Sequence, residues 1–282
     1  MTDYAKYKEL YLLCFTEDTE EDAELLFKNV LSKAKLISEN DKNGSPIAML
    51  FLMDANIIQN GKALDYYYLY AACTHPSYRG KGIMGNLLER AKETAIKNKK
   101  LGIFLKPANP PLFNFYAKSG FLPYFNICKI DMDANTFINQ YSPELLKTES
   151  ATIEEWYYLR KEFLSEINSS YVDFSKEILI TASDGCSAIK SKDFGFVYET
   201  RDNLLLVKEA ICTKDSVNKL LSAISYILKN SNCDSLEIRL PPLLKDQLAN
   251  FDHILQPFSV IWFTPNANQP PNTNGHQGFA FD

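Results

Sequence analysis

The sequence lacks long apolar runs and any sign of an export signal. Its longest apolar runs, residues 48–53 and 66–73, are too short to cross a lipid bilayer. The N-terminus has no basic segment ahead of an apolar one and leads into the acidic stretch TEDTEED, so we expect no secretory signal. We therefore expect a cytoplasmic protein without a membrane partner.

Paired cysteines and a positive charge excess are also missing. Six cysteines are scattered along 282 residues without a CxxC pair, so we expect reduced, buried apolar residues and no metal site. The net charge is −5 at pH 7, which argues against a dedicated nucleic-acid binder. A homo-oligomer is compatible with this composition.

Charge is unevenly distributed within the first hundred residues. Residues 1–28 hold eight acidic and three basic side chains, whereas residues 76–106 hold eight basic and two acidic ones. A basic segment in an acidic protein suggests a small polyanionic ligand. A solvated helix face would give the same count, so charge alone does not decide between the two.

Hydrophobic periodicity predicts two similar halves. The first has helices at 3–15 and 19–32, strands at 35–39, 46–53 and 66–74, a helix at 83–98, a strand at 101–105, a helix at 112–119 and a strand at 121–132. The second has a helix at 153–166, strands at 187–191, 194–200 and 203–212, a helix at 216–229, a strand at 235–240, a helix at 243–251 and a strand at 258–264. The shared order βββαβαβ predicts, in each half, a mixed sheet with a parallel pair.

The chain divides at a polar stretch without clear periodicity, residues 133–150. We predict one domain over residues 1–135, a second over 150–264 and a tail over 265–282. The tail is rich in Asn and Pro, which predicts irregular structure, yet two phenylalanines near its end indicate that it docks. The two halves differ in one loop: residues 213–215 join a strand to the next helix without glycine, where the first half uses residues 74–83.

That longer loop, within THPSYRGKGIMGNLLERA at residues 74–91, carries the most informative motif. Gly80 and Gly82 let backbone N–H groups come close to a ligand, and the helix that follows adds unpaired donors with partial positive charge. Arg79 and Lys81 flank the turn. This combination suits a phosphate or pyrophosphate.

Two common phosphate-binding motifs fit the loop poorly. GxGxxG matches residues 80–85, but in a dinucleotide site the first glycine directly follows the strand, and the next strand ends in Asp or Glu rather than near Lys106. A dehydrogenase is therefore the weakest of the functions we considered. A P-loop is excluded because no GK[ST] follows.

A third pattern, Arg79-x-x-Gly82 after a strand ending in His-Pro, resembles the acetyl-CoA pyrophosphate loop of the GNAT N-acetyltransferases. The family pattern is Arg/Gln-x-x-Gly-x-Gly/Ala, and this sequence departs from it with Met84 in the last position. A second segment, NPPLFNFYAKSGF, is similar to the family's N-x6-Y-x3-G-F through Asn109, Tyr116 and the Gly-Phe pair. The resemblance covers about residues 1–132 and is strengthened by the order of the two motifs.

The resemblance implies an α+β fold of two GNAT-like domains, each a mixed, mostly antiparallel sheet flanked by helices, the second degenerate. It implies an N-acetyltransferase that uses acetyl-CoA as co-substrate, without a metal, and transfers the acetyl group by direct attack of a primary amine. The amine would belong to a small molecule or a peptide. A non-catalytic acyl-CoA-binding sensor is the alternative function.

The resemblance also implies roles for individual residues. The cofactor would be bound by the end of one strand, by the loop and by the second motif: Ala72, Cys73, Thr74, Arg79, Gly80, Lys81, Gly82, Ile83, Met84 and Asn109. Tyr116 takes the place of the general acid that protonates the leaving thiolate. No carboxylate on strand 66–74 offers a base, which leaves Asp65, His75 and the carboxylate of Asp282. We predict Asp282, because the Eis-like enzymes, which also pair a GNAT domain with a degenerate one, use their C-terminal carboxylate.

Overall fold

The computed structural model describes residues 4–144, 148–167, 169–248, 252–265, 267 and 275–278. Its helices are α1 (Ala5–Cys14), α2 (Glu20–Asn29), α3 (Ile83–Lys97), α4 (Pro110–Ala117), α5 (Ala134–Gln140), α6 (Ile153–Glu166), α7 (Lys176–Ala182) and α8 (Val217–Lys229). Its strands are β1 (Lys35–Asn40), β2 (Pro46–Gln59), β3 (Lys62–Thr74), β4 (Gly102–Leu105), β5 (Leu122–Pro123), β6 (Asn126–Asp133), β7 (Glu149–Ala151), β8 (Tyr171–Asp173), β9 (Ser187–Lys190), β10 (Phe194–Arg201), β11 (Leu204–Cys212), β12 (Ser235–Leu240), β13 (Ile254–Pro257) and β14 (Val260–Phe263).

Two mixed sheets organise the chain. The first has the order β1-β2-β3-β4-β14-β5, with β8 also paired to β2, and the second has the order β13-β6-β12-β11-β10-β9-β7. The pairs β3–β4 and β11–β12 are parallel, and the other strand pairs within the described residues are antiparallel. This confirms the predicted fold class of two mixed, mostly antiparallel sheets flanked by helices.

Helices cover both faces of each sheet. In the first sheet, α1 and α2 pack on one face and α3 packs on the other. In the second sheet, α5 and α8 share a core on one face, while α6 packs on the opposite face. Among the described residues, we find no helix with the length and apolar character needed to cross a membrane.

Each sheet contains a strand from the other half of the sequence. β6 lies between β12 and β13 in the second sheet. β14 lies between β4 and β5 in the first sheet, where Val260 pairs with Leu105 on one side and Pro123 on the other. A cut at residue 135 would therefore remove β8 and β14 from the first sheet and β6 from the second, and the division into domains at 1–135 and 150–264 stays a prediction.

Several elements differ from the sequence-based expectation. The strand predicted over 121–132 is two strands, because the chain leaves the first sheet after β5 and enters the second at β6. The helix predicted over 243–251 is a 3-10 helix, Pro242–Leu248, in its described part. The segments β7, β8, β13, α5 and α7 were not predicted, because elements of three to seven residues are too short to show a period.

The tail segment 275–278 lies in the interior. His276 and Gln277 are fully buried. The backbone N–H of His276 donates to the carbonyl of Ser170 at 2.7 Å, and Val172 donates to the carbonyl of His276 at 3.0 Å. This part of the tail is docked, whereas the last four residues, with the two phenylalanines on which the docking prediction rests, lie outside the described part of the chain.

A buried ion cluster holds this tail segment. Arg160 and Glu209 pair at 2.8 Å with side chains 2% and 0% exposed. The guanidinium of Arg160 also donates to the carbonyl of Gln277 at 3.2 Å. Burial lowers the pKa of His276, so its imidazole is neutral and Nε2–H donates to Glu209 at 2.8 Å. One carboxylate thus connects α6, β11 and the tail.

Candidate active site

β3 extends beyond its pairing with β4. Their pairing consists of Tyr67 with Ile103 and Tyr68 with Phe104, whereas β3 continues to Thr74. β4 ends at Leu105, one residue past its last pair, so within the described residues β3 has no paired strand on its β4 side from Leu69 to Thr74, a stretch called here the gap between β3 and β4. An extended ligand can pair with strand backbone exposed in such a gap.

A β-bulge interrupts β3 beside this gap. Met49 of β2 pairs with Cys73, whereas Phe51 pairs with Tyr70, so β3 carries an extra residue at this point. Ala71 has a φ of 51°, a conformation that costs an alanine about 1–2 kcal/mol because Cβ crowds the following carbonyl. Bulges re-aim backbone groups and are frequent beside functional sites.

Hydrogen bonds within the chain shape the loop after β3. The Nδ1 of His75 accepts from the backbone N–H of Ser77 at 3.2 Å and caps the 3-10 helix Pro76–Tyr78. The Nε of Arg79 donates to the carbonyl of Thr74 at 3.1 Å. The imidazole of His75 is therefore engaged in the loop itself, which favours a structural role over that of a base.

α3 begins without a side-chain cap. Its N-cap is Gly82, with a φ of 76°, and its first turn contains no acidic residue. The first backbone bond of the helix runs from Asn86 N–H to Gly82 O, so the amides of residues 83–85 have no acceptor inside the helix. A Cβ built on Gly80, Gly82 or Gly85 would meet no atom of the described residues within 4 Å. An uncapped helix start facing open space is suited to bind an anion.

This helix start opens into a cavity of about 430 Å³. Its walls are the end of α1, the end of β3, the loop, the first turn of α3 and the inner face of α4. The lining residues are Cys14, Phe15, Ala72, Cys73, Thr74, Tyr78, Arg79, Gly80, Gly82, Ile83, Met84, Gly85, Leu112, Phe115 and Tyr116. The cavity thus brings together the uncapped start of α3, the end of β3 and the phenol of Tyr116.

Two of the residues predicted for the site are not among those lining the cavity, and a third belongs to the part of the chain that the structure does not describe. Lys81 is exposed, and its Nζ lies 4.8 Å from the ring centroid of Tyr78. Asn109 is the exposed N-cap of α4. Asp282 lies outside the described residues. The structure brings the remaining predicted residues together, and their roles stay predictions.

Tyr116 projects from α4 into the cavity wall. Pro110 and Pro111 start this helix, where a missing N–H costs nothing. The Tyr116 ring packs edge-to-face against Phe121, with centroids 5.8 Å apart, and the side chain is 6% exposed. Burial raises the pKa of the Tyr116 hydroxyl to about 12, so it is a proton donor at neutral pH.

The cavity wall opposite the loop was not predicted from the sequence. Cys14 and Phe15 come from the end of α1, and Leu112 and Phe115 come from α4. The periodicity of α1 marked Cys14 as part of an apolar stripe, but it does not show what that stripe faces. Within the ranges that the structure describes, no three His, Cys, Asp or Glu side chains are grouped so that they could hold a metal ion.

Comparison with known proteins gives a family match for the first part of the chain. Residues 4–121 match the family model described as acetyltransferase (GNAT) family. No curated protein matches the sequence.

Three solved structures show the same fold over most of the chain. A probable N-acyltransferase from Enterococcus faecalis V583 shares 12% identity over 92% of this chain and 69% of its own, with a TM-score of 0.68. Eis1 from Mycobacterium abscessus shares 10% identity over 93% and 72%, with a TM-score of 0.63. Saccharomyces cerevisiae N-myristoyltransferase with bound myristoyl-CoA shares 11% over 99% and 87%, with a TM-score of 0.59. Residues 4–121 thus match the GNAT acetyltransferase family, and the fold over most of the chain is the one that these acyltransferase structures share.

Proposed function

We propose that this protein transfers an acetyl group from acetyl-CoA to a primary amine of a small molecule or peptide. The observation that carries the proposal is the arrangement around one cavity, which is lined by the uncapped start of α3, the end of β3 beyond its pairing with β4, and the hydroxyl-bearing Tyr116. The myristoyl-CoA bound by one structural neighbour supports an acyl-CoA ligand.

The pyrophosphate of acetyl-CoA would bind at the start of α3. The free amides of Ile83, Met84 and Gly85 supply donors, and the helix dipole favours negative charge there. Arg79 adds a positive charge on the loop. The Nε of Arg79 donates to the carbonyl of Thr74, and this hydrogen bond fixes the side chain. The terminal guanidinium nitrogens would then face a phosphate.

The pantetheine arm would lie in the gap between β3 and β4. Its amides can pair with the backbone of Ala72, Cys73 and Thr74 as a strand would. The bulge at Ala71 then brings a backbone N–H near the thioester carbonyl, where it stabilises the oxyanion of the tetrahedral intermediate. The rigid sheet thus positions the reacting carbon.

Tyr116 would complete the proton transfers. A neutral amine attacks the thioester carbon, the C–S bond breaks, and the leaving sulfur takes the proton of the Tyr116 hydroxyl. The ammonium of the intermediate returns a proton to the tyrosinate, so the products are the amide and the free thiol. The acceptor amine must lose its proton before it attacks, because an alkylammonium has no free lone pair. With a pKa of about 10.4, most of the free amine is protonated at neutral pH.

Thiol release separates this proposal from a non-catalytic acyl-CoA sensor. We expect release of free CoA from acetyl-CoA when at least one member of a panel of polyamines, aminoglycosides and lysine peptides is added. Tight binding of acetyl-CoA without release on any acceptor would favour the sensor.

Asp282 is our proposed base for the acceptor, supported by the docking of residues 275–278 inside the fold. Deleting residues 279–282 should abolish turnover and leave acetyl-CoA affinity unchanged, because the ion cluster that anchors the tail is retained. Steady-state thiol release and calorimetry measure the two quantities. Unchanged turnover in the shortened protein would exclude Asp282 from the reaction.

A further inference from the structure

Two cysteines meet on the wall of the cavity. Cys14 is the last residue of α1 and Cys73 lies near the end of β3, and both line the cavity. The Sγ of Cys14 lies 3.7 Å from the carbonyl oxygen of Thr74, the residue after Cys73, and both cysteines pack in one apolar cluster. Residues far apart in the sequence thus bring two cysteines to one point of the wall, and the mechanism above uses neither thiol.

The two thiols have unequal environments. Cys73 is buried, whereas Cys14 is partly exposed. The hydrogen bond with Cys73 and the guanidinium of Arg79 lower the pKa of the Cys14 thiol to about 7. The same contact and burial raise the pKa of Cys73. The pair therefore combines an accessible thiolate at neutral pH with an adjacent thiol that keeps its proton, an arrangement typical of peroxide-sensitive cysteines.

The other cysteines with a shifted pKa lack this arrangement. Burial raises the pKa of Cys128 and Cys186 to about 11 and that of Cys212 to about 12. Thiols of this kind are poor nucleophiles at neutral pH, because the thiolate is the reactive form. Oxidation should therefore be selective for the pair at the cavity.

We propose that Cys14 and Cys73 are a redox modification site, which hydrogen peroxide converts to a disulfide across the cavity wall. The Cys14 thiolate attacks one peroxide oxygen, the O–O bond breaks, and Cys14 becomes a sulfenic acid as hydroxide leaves and takes a proton to form water. The sulfenic acid of Cys14 is uncharged, so the neighbouring thiolate that kept the proton on Cys73 is gone. Cys73 passes this proton to the departing oxygen as its sulfur attacks the sulfur of Cys14, and a second water leaves. Two thiols are oxidised and one peroxide is reduced.

The disulfide would change the cavity. An S–S bond is about 2.05 Å long, much shorter than a contact between two thiols, so its formation draws the end of α1 toward β3. It also removes the thiolate beside Arg79. The acyl arm would lie along this wall, so oxidation should weaken acetyl-CoA binding. That consequence rests on the proposed function, whereas formation of the disulfide does not.

Mass spectrometry of the full-length protein tests the site directly. After one equivalent of hydrogen peroxide, the intact mass should fall by two hydrogen atoms, and a peptide map should show a link between Cys14 and Cys73. The link should be absent in Cys14→Ser and Cys73→Ser and present in the control Cys233→Ser, whose partly buried cysteine lies in the core of the second sheet. An unchanged mass, oxygen addition without a link, or a link through another cysteine would overturn the proposal.

Calorimetry then separates this proposal from the proposed function. The oxidised protein should bind acetyl-CoA at least about tenfold more weakly than the reduced protein, and dithiothreitol should restore the affinity. Equal affinity of the two forms would overturn the predicted effect on the cavity. If the reduced protein binds acetyl-CoA but forms no disulfide, the redox site fails and the proposed function stands. If the disulfide forms but the reduced protein does not bind, only the proposed function fails.

Discussion

Replacing Tyr116 with phenylalanine should lower kcat for thiol release by about 10²–10⁴-fold, the usual contribution of a positioned general acid. The ring would keep its edge-to-face contact with Phe121, so acetyl-CoA affinity should stay within about twofold of wild type. Steady-state kinetics and calorimetry measure the two effects. A loss of turnover without a loss of acetyl-CoA binding is the result expected for a group that acts on the reacting atoms.

Tyr141→Phe is the matched control for this variant. Tyr141 is also buried, but it lies in the core of the second sheet with Phe137. It should leave kcat unchanged. Equal activity of the two variants would contradict a catalytic role for Tyr116.

The pH profile provides an independent check on Tyr116. Burial raises the pKa of its hydroxyl to about 12, so the acid stays protonated up to strongly alkaline pH. The rate should rise as the acceptor amine loses its proton and should not fall from ionisation of Tyr116 below that value.

Replacing Glu209 with glutamine should destabilise the protein by about 3–5 kcal/mol, because Arg160 would keep a buried charge without its counter-ion. The substitution preserves the shape of the side chain, so the loss would reflect charge rather than a cavity. Urea denaturation with an unchanged slope measures the effect as a shift of the midpoint.

An exposed pair of the same residue types is the control. Arg90 and Glu39 lie 3.4 Å apart with side chains 48% and 52% exposed, and Glu39→Gln should cost about 0–1 kcal/mol. Similar small losses in both variants would show that the buried cluster does not hold the fold together.

Acidic pH should reduce the contribution of Glu209 to the free energy of unfolding. Burial alone would raise the pKa of its carboxyl, but the charge of Arg160 and the hydrogen bond from His276 lower it overall. A carboxyl whose pKa is lowered by folding stabilises the folded state at pH values above its ordinary pKa of about 4.3. This contribution is lost as the pH falls through the pKa of the folded state. The difference between wild type and Glu209→Gln should therefore shrink in acid.

Local signals in the sequence predicted the local elements well. The Thr19 side chain and the Asp22 side chain form the capping box that starts α2. The Asn-Gly pair at residues 60 and 61 forms the turn between β2 and β3, with both residues at positive φ. Helix α6 has the predicted bounds, Ile153–Glu166. Each of these depends on residues that are neighbours along the chain.

The exchange of β6 and β14 between the sheets could not be predicted from the sequence. Periodicity shows which residues are buried, but it does not show which sheet they enter, and both strands are apolar segments of ordinary length. The buried charge of Arg160 was also missed, because a charged residue in a helical pattern usually faces solvent. Its partner Glu209 lies 49 positions away.

The candidate site divides in the same way. The loop from His75 to Gly82 was predicted because glycine spacing and a following helix describe an anion site locally. The tertiary packing of α1 and α4 places Cys14, Leu112 and Phe115 on the cavity wall. The sequence contains no short-range signal for this packing. Their contribution to the wall therefore required the structure.

The most direct test of the account is the binding of acetyl-CoA to the start of α3. Gly82 and Gly61 have φ values of 76° and 72°, and at both positions a Cβ would meet no atom within 4 Å in the described part of the chain. Alanine at either position should thus carry a similar backbone strain, but Gly61 lies in the β2–β3 turn, at the opposite end of β3 from the cavity.

Calorimetric titration of wild type, Gly82→Ala and Gly61→Ala with acetyl-CoA measures the difference. We predict binding by wild type, unchanged affinity in Gly61→Ala and a loss of at least about tenfold in Gly82→Ala, since hydrogen bonds to a charged group contribute about 1.5–3 kcal/mol each. No heat with wild type, or an equal loss in both variants, would contradict the assignment of this helix start as the pyrophosphate site.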